Sequence, residues 1–175
     1  MAVITNDDDV RSWAYRSIES RWGTIVERSP PIPFIAGGYY TAQMGDGLFK
    51  TLVATESPID PVGLADWKTA TNEWEREAAA AFTGLSERPL NLDPGYITQA
   101  KLMLATIKDR DHRIYLKDGI FGEVTLNYVG KEWVFHRWTY PDYRTEEVFE
   151  FAMQCRRRLR KHIAASESFR VGKRE

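Results

Sequence analysis

Apolar residues recur with two different periods along this chain, and the switch between them predicts its elements. Val10, Trp13, Ala14, Ile18, Trp22 and Ile25 fall at helical spacing behind Asp7, Asp8 and Asp9, acids that suit the positive end of a helix. Arg28-Ser29-Pro30-Pro31-Ile32-Pro33 stops that helix, because proline lacks a donor and restricts the residue before it. Phe34 to Met44, with Gly37-Gly38-Tyr39-Tyr40 inside it, reads as extended, and Gly45-Asp46-Gly47 as a turn. Leu48 to Ala54 then returns as a strand, giving an expected hairpin over roughly 34–54, although Leu48 to Glu56 also suits a short helix.

A second helix carries Leu64, Trp67, Thr71, Trp74, Ala78, Ala81 and Phe82 on one face. Asp93-Pro94 supplies an N-cap and a proline at the first helical position of an expected third helix, with Ile97, Ala100, Leu104 and Ile107 on its buried side. From His112 to Tyr140 the period changes to two. Asp118-Gly119 predicts a type I′ turn and Gly130-Lys131 a type II′ turn. Together they outline a three-stranded meander of roughly 113–117, 120–129 and 132–140. A last helix follows from Arg144 to Ala165, with Val148, Ala152, Cys155, Leu159 and Ile163 facing inward. Helices and strands are segregated, so the expected class is α+β: about four helices packed on an antiparallel sheet made of the meander (roughly 113–140) and the additional hairpin. Residues 1–165 read as one compact domain and 166–175 as a flexible basic tail.

Composition narrows the picture only a little. The 175 residues are 43% hydrophobic and 28% charged, which excludes wholesale disorder. Cys155 is the only cysteine, so neither an internal disulfide nor a thiolate metal cluster is expected and a reducing, cytoplasmic compartment follows. The first residues, Met-Ala-Val-Ile-Thr-Asn-Asp-Asp-Asp, lack a basic stretch followed by an apolar one, and no apolar run is long enough to span a bilayer. A soluble protein is expected, with no cofactor.

Charge changes the picture more. Beyond Cys155 there are eight Lys and Arg against Glu167 and Glu175, which leaves residues 1–155 with 16 basic and 23 acidic side chains. Arg156, Arg157, Arg158, Arg160 and Lys161 crowd into the last helix, and Arg170, Lys173 and Arg174 extend them. Guanidinium forks match phosphate oxygens, and such contacts are salt-dependent. The same helix also reads as an ordinary one, with Glu146, Glu147 and Glu150 early and bases late, complementing its dipole. No motif for base readout is present, so any nucleic acid would be held by its backbone without sequence preference.

On the meander, strand parity puts Glu123, Thr125, Asn127, His136, Trp138 and Tyr140 on one face, and Val124, Leu126, Tyr128, Trp133 and Phe135 on the other. A turn at Gly130-Lys131 sets Thr125 opposite His136 and Glu123 opposite Trp138; a turn at Val129-Gly130 sets Glu123 opposite His136. A carboxylate near an imidazole has the composition of an acid–base pair, and also of a plain cross-strand hydrogen bond. Thr125, Asn127, Trp138 and Tyr140 are the candidate pocket residues, joined by the Tyr39/Tyr40 segment.

Other signals lead nowhere. Gly45-Asp46-Gly47-Leu48-Phe49-Lys50-Thr51 lacks the spacing of a phosphate loop. Asp109, Asp111 and His112 read as a solvated connector rather than a metal site. Cys155, on the inward stripe, reads as inert. The first functional expectation is therefore a non-enzymatic interaction or assembly subunit, docking through an aromatic surface and its basic C-terminal helix onto an anionic partner: a nucleic-acid backbone or an acidic protein surface in a larger complex. The alternatives are a small hydrolase or isomerase using Glu123 and His136, and a small-ligand binding domain.

Overall fold

The structure, a computed structural model, describes residues 1–34 and 38–166. In chain order these form β1 (Ala2–Thr5), α1 (Asp8–Trp22), β2 (Ile25–Arg28), β3 (Ile32–Pro33), α2 (Gly38–Met44), β4 (Phe49–Thr55) and α3 (Leu64–Ala81). There follow β5 (Asn91–Asp93), β6 (Gly95–Ile97), β7 (Lys101–Thr106), β8 (Ile114–Lys117), β9 (Ile120–Val129), β10 (Glu132–Phe135) and α4 (Glu146–Ala165). The class is α+β, with two antiparallel five-stranded sheets in place of the single sheet expected.

In the first sheet the order is β2-β4-β1-β5, with β3 also paired to β4. β2 and β3 lie against β4 through Arg28↔Val53 and Ile32↔Lys50. Ser29-Pro30-Pro31 separates them because the prolines have no N–H to give the ladder. Ser29 bridges the break: its N–H donates to the Leu52 carbonyl, and its Oγ accepts from the Leu52 N–H, both at 2.9 Å.

The second sheet has the order β10-β9-β7-β6, with β8 paired to β9. β7 runs along β9 from Phe121 to Asn127, so β8 and β10 share the other edge of β9. Both hairpin turns sit where the sequence puts them. Asp118 and Gly119 have φ of 51° and 75°, the type I′ pattern. Gly130 and Lys131, at 59° and 75°, adopt the same type rather than the expected type II′.

Four expectations are corrected. α1 ends at Trp22 because Gly23, at φ 96°, closes it, and Ile25 starts a strand. Gly38–Met44 is helical, so only the second arm of the expected 34–54 hairpin is a strand, and residues 35–37 lie outside those described. The expected third helix is β5, β6 and β7. Thr98 explains the last case locally: its Oγ1 accepts from the N–H groups of Ala100 and Lys101, both at 3.1 Å, and so folds a hairpin where a helix would need those donors. The last meander strand also stops early, at Phe135, since the His136 carbonyl accepts from the Thr139 N–H in a turn.

The core lies on both faces of the first sheet. Val3, Val53 and Leu92 pack under α1 and α3 with Val10, Ile18, Trp74 and Ala78. Trp22 meets Trp74 and Trp67 at ring distances of 4.8 and 6.2 Å, which joins α1 to α3 through their tryptophans. On the other face Ala2 and Leu52 meet Leu102, Leu126 and Trp133 of the second sheet and Val148, Phe151, Ala152 and Cys155 of α4. Among the described residues no helix is long and apolar enough to cross a membrane.

Candidate functional site

β9 carries an irregularity that builds the first half of the site. The β7–β9 register passes from Leu102↔Leu126 to Met103↔Val124, so an extra residue bulges opposite the 102/103 step. On the other edge β8 pairs no further than Gly122 and β10 no further than Leu126. Side chains of the His136–Thr139 turn fill this gap. Trp138 Nε1 donates to the Val124 carbonyl at 3.0 Å, and Thr139 Oγ1 donates to the Thr125 carbonyl at 2.7 Å. The bulge breaks the simple two-face alternation, so that Leu126 and Trp133 enter the core while Glu123 and Thr125 are buried as well. Phe135, expected inward, is half exposed.

Glu123, with 4% of its side chain exposed, accepts from Arg113 Nε at 2.8 Å and lies 3.1 Å from His112 Nε2. His112 Nδ1 lies 3.0 Å from Asp111, whose other oxygen accepts from Arg137. His136 is elsewhere: its Nε2 is 2.6 Å from Asn127 Oδ1. Glu123 and His136 therefore form no pair. What joins their neighbourhoods is Trp138, stacked on His136 at 4.6 Å and on His112 at 5.2 Å. A cavity of about 290 Å3 opens here, walled by Arg110, Asp111, His112, Arg113, Trp138 and Tyr140 among others. Of the four candidate pocket residues, Trp138 and Tyr140 line it; Thr125 and Asn127 stand behind.

A second cavity, of about 360 Å3, lies where α3 crosses the ends of β5 and β7, with Tyr40 of α2 and Lys108 at its wall. Lys68 and Glu75 occupy the inward stripe of α3 and are buried. Lys68 Nζ donates to the Leu92 carbonyl at 2.6 Å and lies 3.3 Å from Asp93 and 3.6 Å from Glu75. Glu75 accepts from the Leu92 N–H and from Arg88, both at 2.8 Å. Arg88 also donates to Asn91, whose amide donates to Asp93 at 2.9 Å. Burial alone would raise the Asp93 carboxyl; Lys68, Lys50 and the Asn91 amide outweigh it and hold Asp93 below the ordinary value. Burial, then the Asp93 charge, pushes the Tyr40 phenol up to about 12.

The segment 108–113 contributes to the walls of both cavities. Lys108 lines the larger one, Arg110 and Arg113 the smaller, and Arg113 Nη1 donates to the Lys108 carbonyl at 2.8 Å. Among the described residues no group of three or more His, Cys, Asp and Glu side chains could hold a metal ion. Lys50, three residues beyond Gly47, is buried against Asp142 rather than open to a phosphate.

Residues 1–159 match the family described as Domain of unknown function (DUF4416). The chain belongs to that family. No curated protein and no solved structure matches the chain. The DUF4416 match spans every residue that lines either cavity.

The basic helix of this DUF4416 chain divides into two groups. Arg156 donates to the Gln99 carbonyl at 2.7 Å and covers the Tyr128 ring at 3.6 Å, and Arg158 bonds Glu27 at 3.0 Å. Arg157, Arg160 and Lys161 are exposed. Arg170, Lys173 and Arg174 lie outside the described residues. Sequence reasoning missed Lys68, Glu75, Arg88, Asn91, Asp93, Lys108 and Arg113. A signal for two of them was present: Leu64, Lys68, Thr71, Glu75 and Ala78 follow helical spacing, which sets two charges inside an apolar stripe.

Proposed function

We propose that this protein is a small-ligand binding domain whose ligand, a polar molecule, occupies the cleft where α3, β5 and the 108–113 loop meet. One observation carries the reading: Lys68, Glu75 and Arg113, each with about a tenth or less of its side chain exposed, line two cavities that share the 108–113 segment, and the equally buried Glu123 pairs with Arg113. Buried ion pairs contribute little stability over apolar residues of the same volume, so their concentration beside a cavity argues for recognition rather than support. Asn72, Asn91 and Tyr40 add neutral hydrogen-bonding groups to the same wall. The test is a thermal-shift screen of polar metabolites on the native protein and on Asn72→Trp, which fills the larger cavity from α3. Compounds that raise the Tm of the native protein and not of the variant support the reading. A screen whose every hit stabilises both proteins equally removes it.

A second reading concerns the outer face of α4. Arg157, Arg160 and Lys161 have no ion-pair partner among the described residues, which favours contact with an anionic partner, a nucleic-acid backbone or an acidic protein surface, in a larger assembly. Reversing these three charges should abolish a salt-sensitive association measured by anisotropy; unchanged titrations would remove this reading.

A further inference from the structure

We infer that the protein recognises a phosphate-type oxyanion, seated at the 108–113 segment that walls both cavities and held by Arg88, Lys108, Arg110 and Arg113. This rests on the ligand-binding reading above and names the chemistry that the site selects.

The seat is preorganised by its own loop. The Arg113 N–H donates to the Arg110 carbonyl at 3.0 Å, closing a turn, and the Lys108 N–H donates to Thr106 Oγ1 at 3.2 Å. Arg113 spends Nε on Glu123 and Nη1 on the Lys108 carbonyl, which fixes the guanidinium plane in the wall of the smaller cavity with only 4% of the side chain exposed. Its Nη2 donors have no partner among the described residues. In the larger cavity, Arg88 and Lys108 both lie over the Tyr40 ring, at 5.8 and 4.8 Å, so one aromatic ring gathers two cations.

Nearby acids are already shared. Glu123 answers His112 and Arg113, Glu75 answers Lys68 and Arg88, and Asp93 answers Lys68 and Asn91. Arg110 has no acidic partner among the described residues. Burial holds Lys108 below the ordinary lysine value; Asp93 opposes that, while Arg88, Arg113 and Arg110 add to it. These positive groups are thus close enough to disfavour one another, and an anion between them relieves the repulsion.

The geometry favours phosphate over a carboxylate. A carboxylate is satisfied by one planar guanidinium fork, whereas donors arriving from the β5 approach, the β7 end and the following turn suit oxygens spread tetrahedrally around one centre. Because two of the cations are guanidiniums with open donors, charge and direction are both specified.

Inorganic pyrophosphate, titrated into the full chain at constant ionic strength and followed by calorimetry and Tm, tests this, with malonate as the dicarboxylate control. Saturable binding of pyrophosphate at least tenfold tighter than malonate is expected. Lys108→Met and Arg110→Gln should each weaken it about tenfold, the loss of one charge-assisted contact. Arg157→Gln on α4 should leave it unchanged. Equal binding of malonate, undiminished binding by the Lys108→Met/Arg110→Gln double variant, or no binding to the native protein would each overturn the inference. If screen hits still respond to Asn72→Trp while pyrophosphate does not bind, the oxyanion seat falls and the ligand-binding reading stands.

Discussion

Lys50 on β4 and Asp142, just ahead of α4, form an ion pair between positions 92 residues apart in the chain. Their side chains are 2% and 11% exposed, and the Lys50 ammonium also lies 3.5 Å from the centre of the Tyr143 ring. The pair fastens the first sheet to the segment that leads out of the second. Removing one partner strands the other charge where water cannot reach it.

Lys50→Met should therefore destabilise the protein by about 3–5 kcal/mol. The double variant Lys50→Met/Asp142→Leu should regain most of that loss, since both charges go together. Urea denaturation of the two single variants and the double variant checks this. A double variant no more stable than Lys50→Met would show that the pair does not act as a unit.

Asp93 predicts the acid limb of stability. Its folded value lies below the 3.8 of an ordinary aspartate, so the unfolded chain takes up the proton first as pH falls. The stabilisation is complete above 3.8 and is lost as pH drops through the lower folded value. In Asp93→Asn the slope of stability against pH in that range should flatten, as measured by denaturant midpoints at successive pH values.

At the other end, Tyr40 and Tyr143 have folded values above the ordinary 10.0, both chiefly through burial. Their contribution is whole below 10.0 and is lost as pH rises through their folded values, about 12 for Tyr40. Phenolate absorbance should show Tyr40 and Tyr143 titrating above the ordinary range, as burial also makes Tyr96 do, and Tyr40→Phe should remove one such late step.

Cys155 lies at the base of the α4 core, and burial pushes its thiol up to about 12. A thiol reagent at about pH 8 should leave the native protein untouched and react once denaturant opens the core. Rapid labelling of the folded protein would contradict the packing of α4 against the sheets.

Gly95 tests the corrected strand assignment. A Cβ added there would meet the Met103 carbonyl oxygen at 2.1 Å, a backbone atom that cannot step aside. Gly95→Ala should cost at least about 1–3 kcal/mol, a penalty that a surface helix would not impose. Thermal unfolding of the variant decides it.

Some of this architecture was legible because its causes are local. Asp118-Gly119 and Gly130-Lys131 turn the chain where their permissive backbones allow, and the inward stripe of α3 follows from spacing alone. The run from Asp93 to Ile107 suggests a helix only because a proline after an aspartate starts helices and ends strands alike. What settles it is Gly95 pairing with Leu104, a contact between strands. The candidate site was harder still. Parity along β9 puts Glu123 beside His136 or Trp138, yet a bulge opposite Met103 resets that parity and delivers Glu123 to His112 and Arg113.

The sequence by itself determined what short-range physics controls: the helix starts at Asp7 and the α3 stripe, both hairpin turns, the α+β class, and a basic end following an acidic body. Only the tertiary structure decided which charges meet. Lys50 finds Asp142 and Lys68 finds Asp93 through pairings distant in sequence, and the 108–113 segment comes to wall two cavities. A residue's spacing fixes the direction in which its side chain leaves the backbone, whereas the partner it reaches depends on how the sheets twist, bulge and pack.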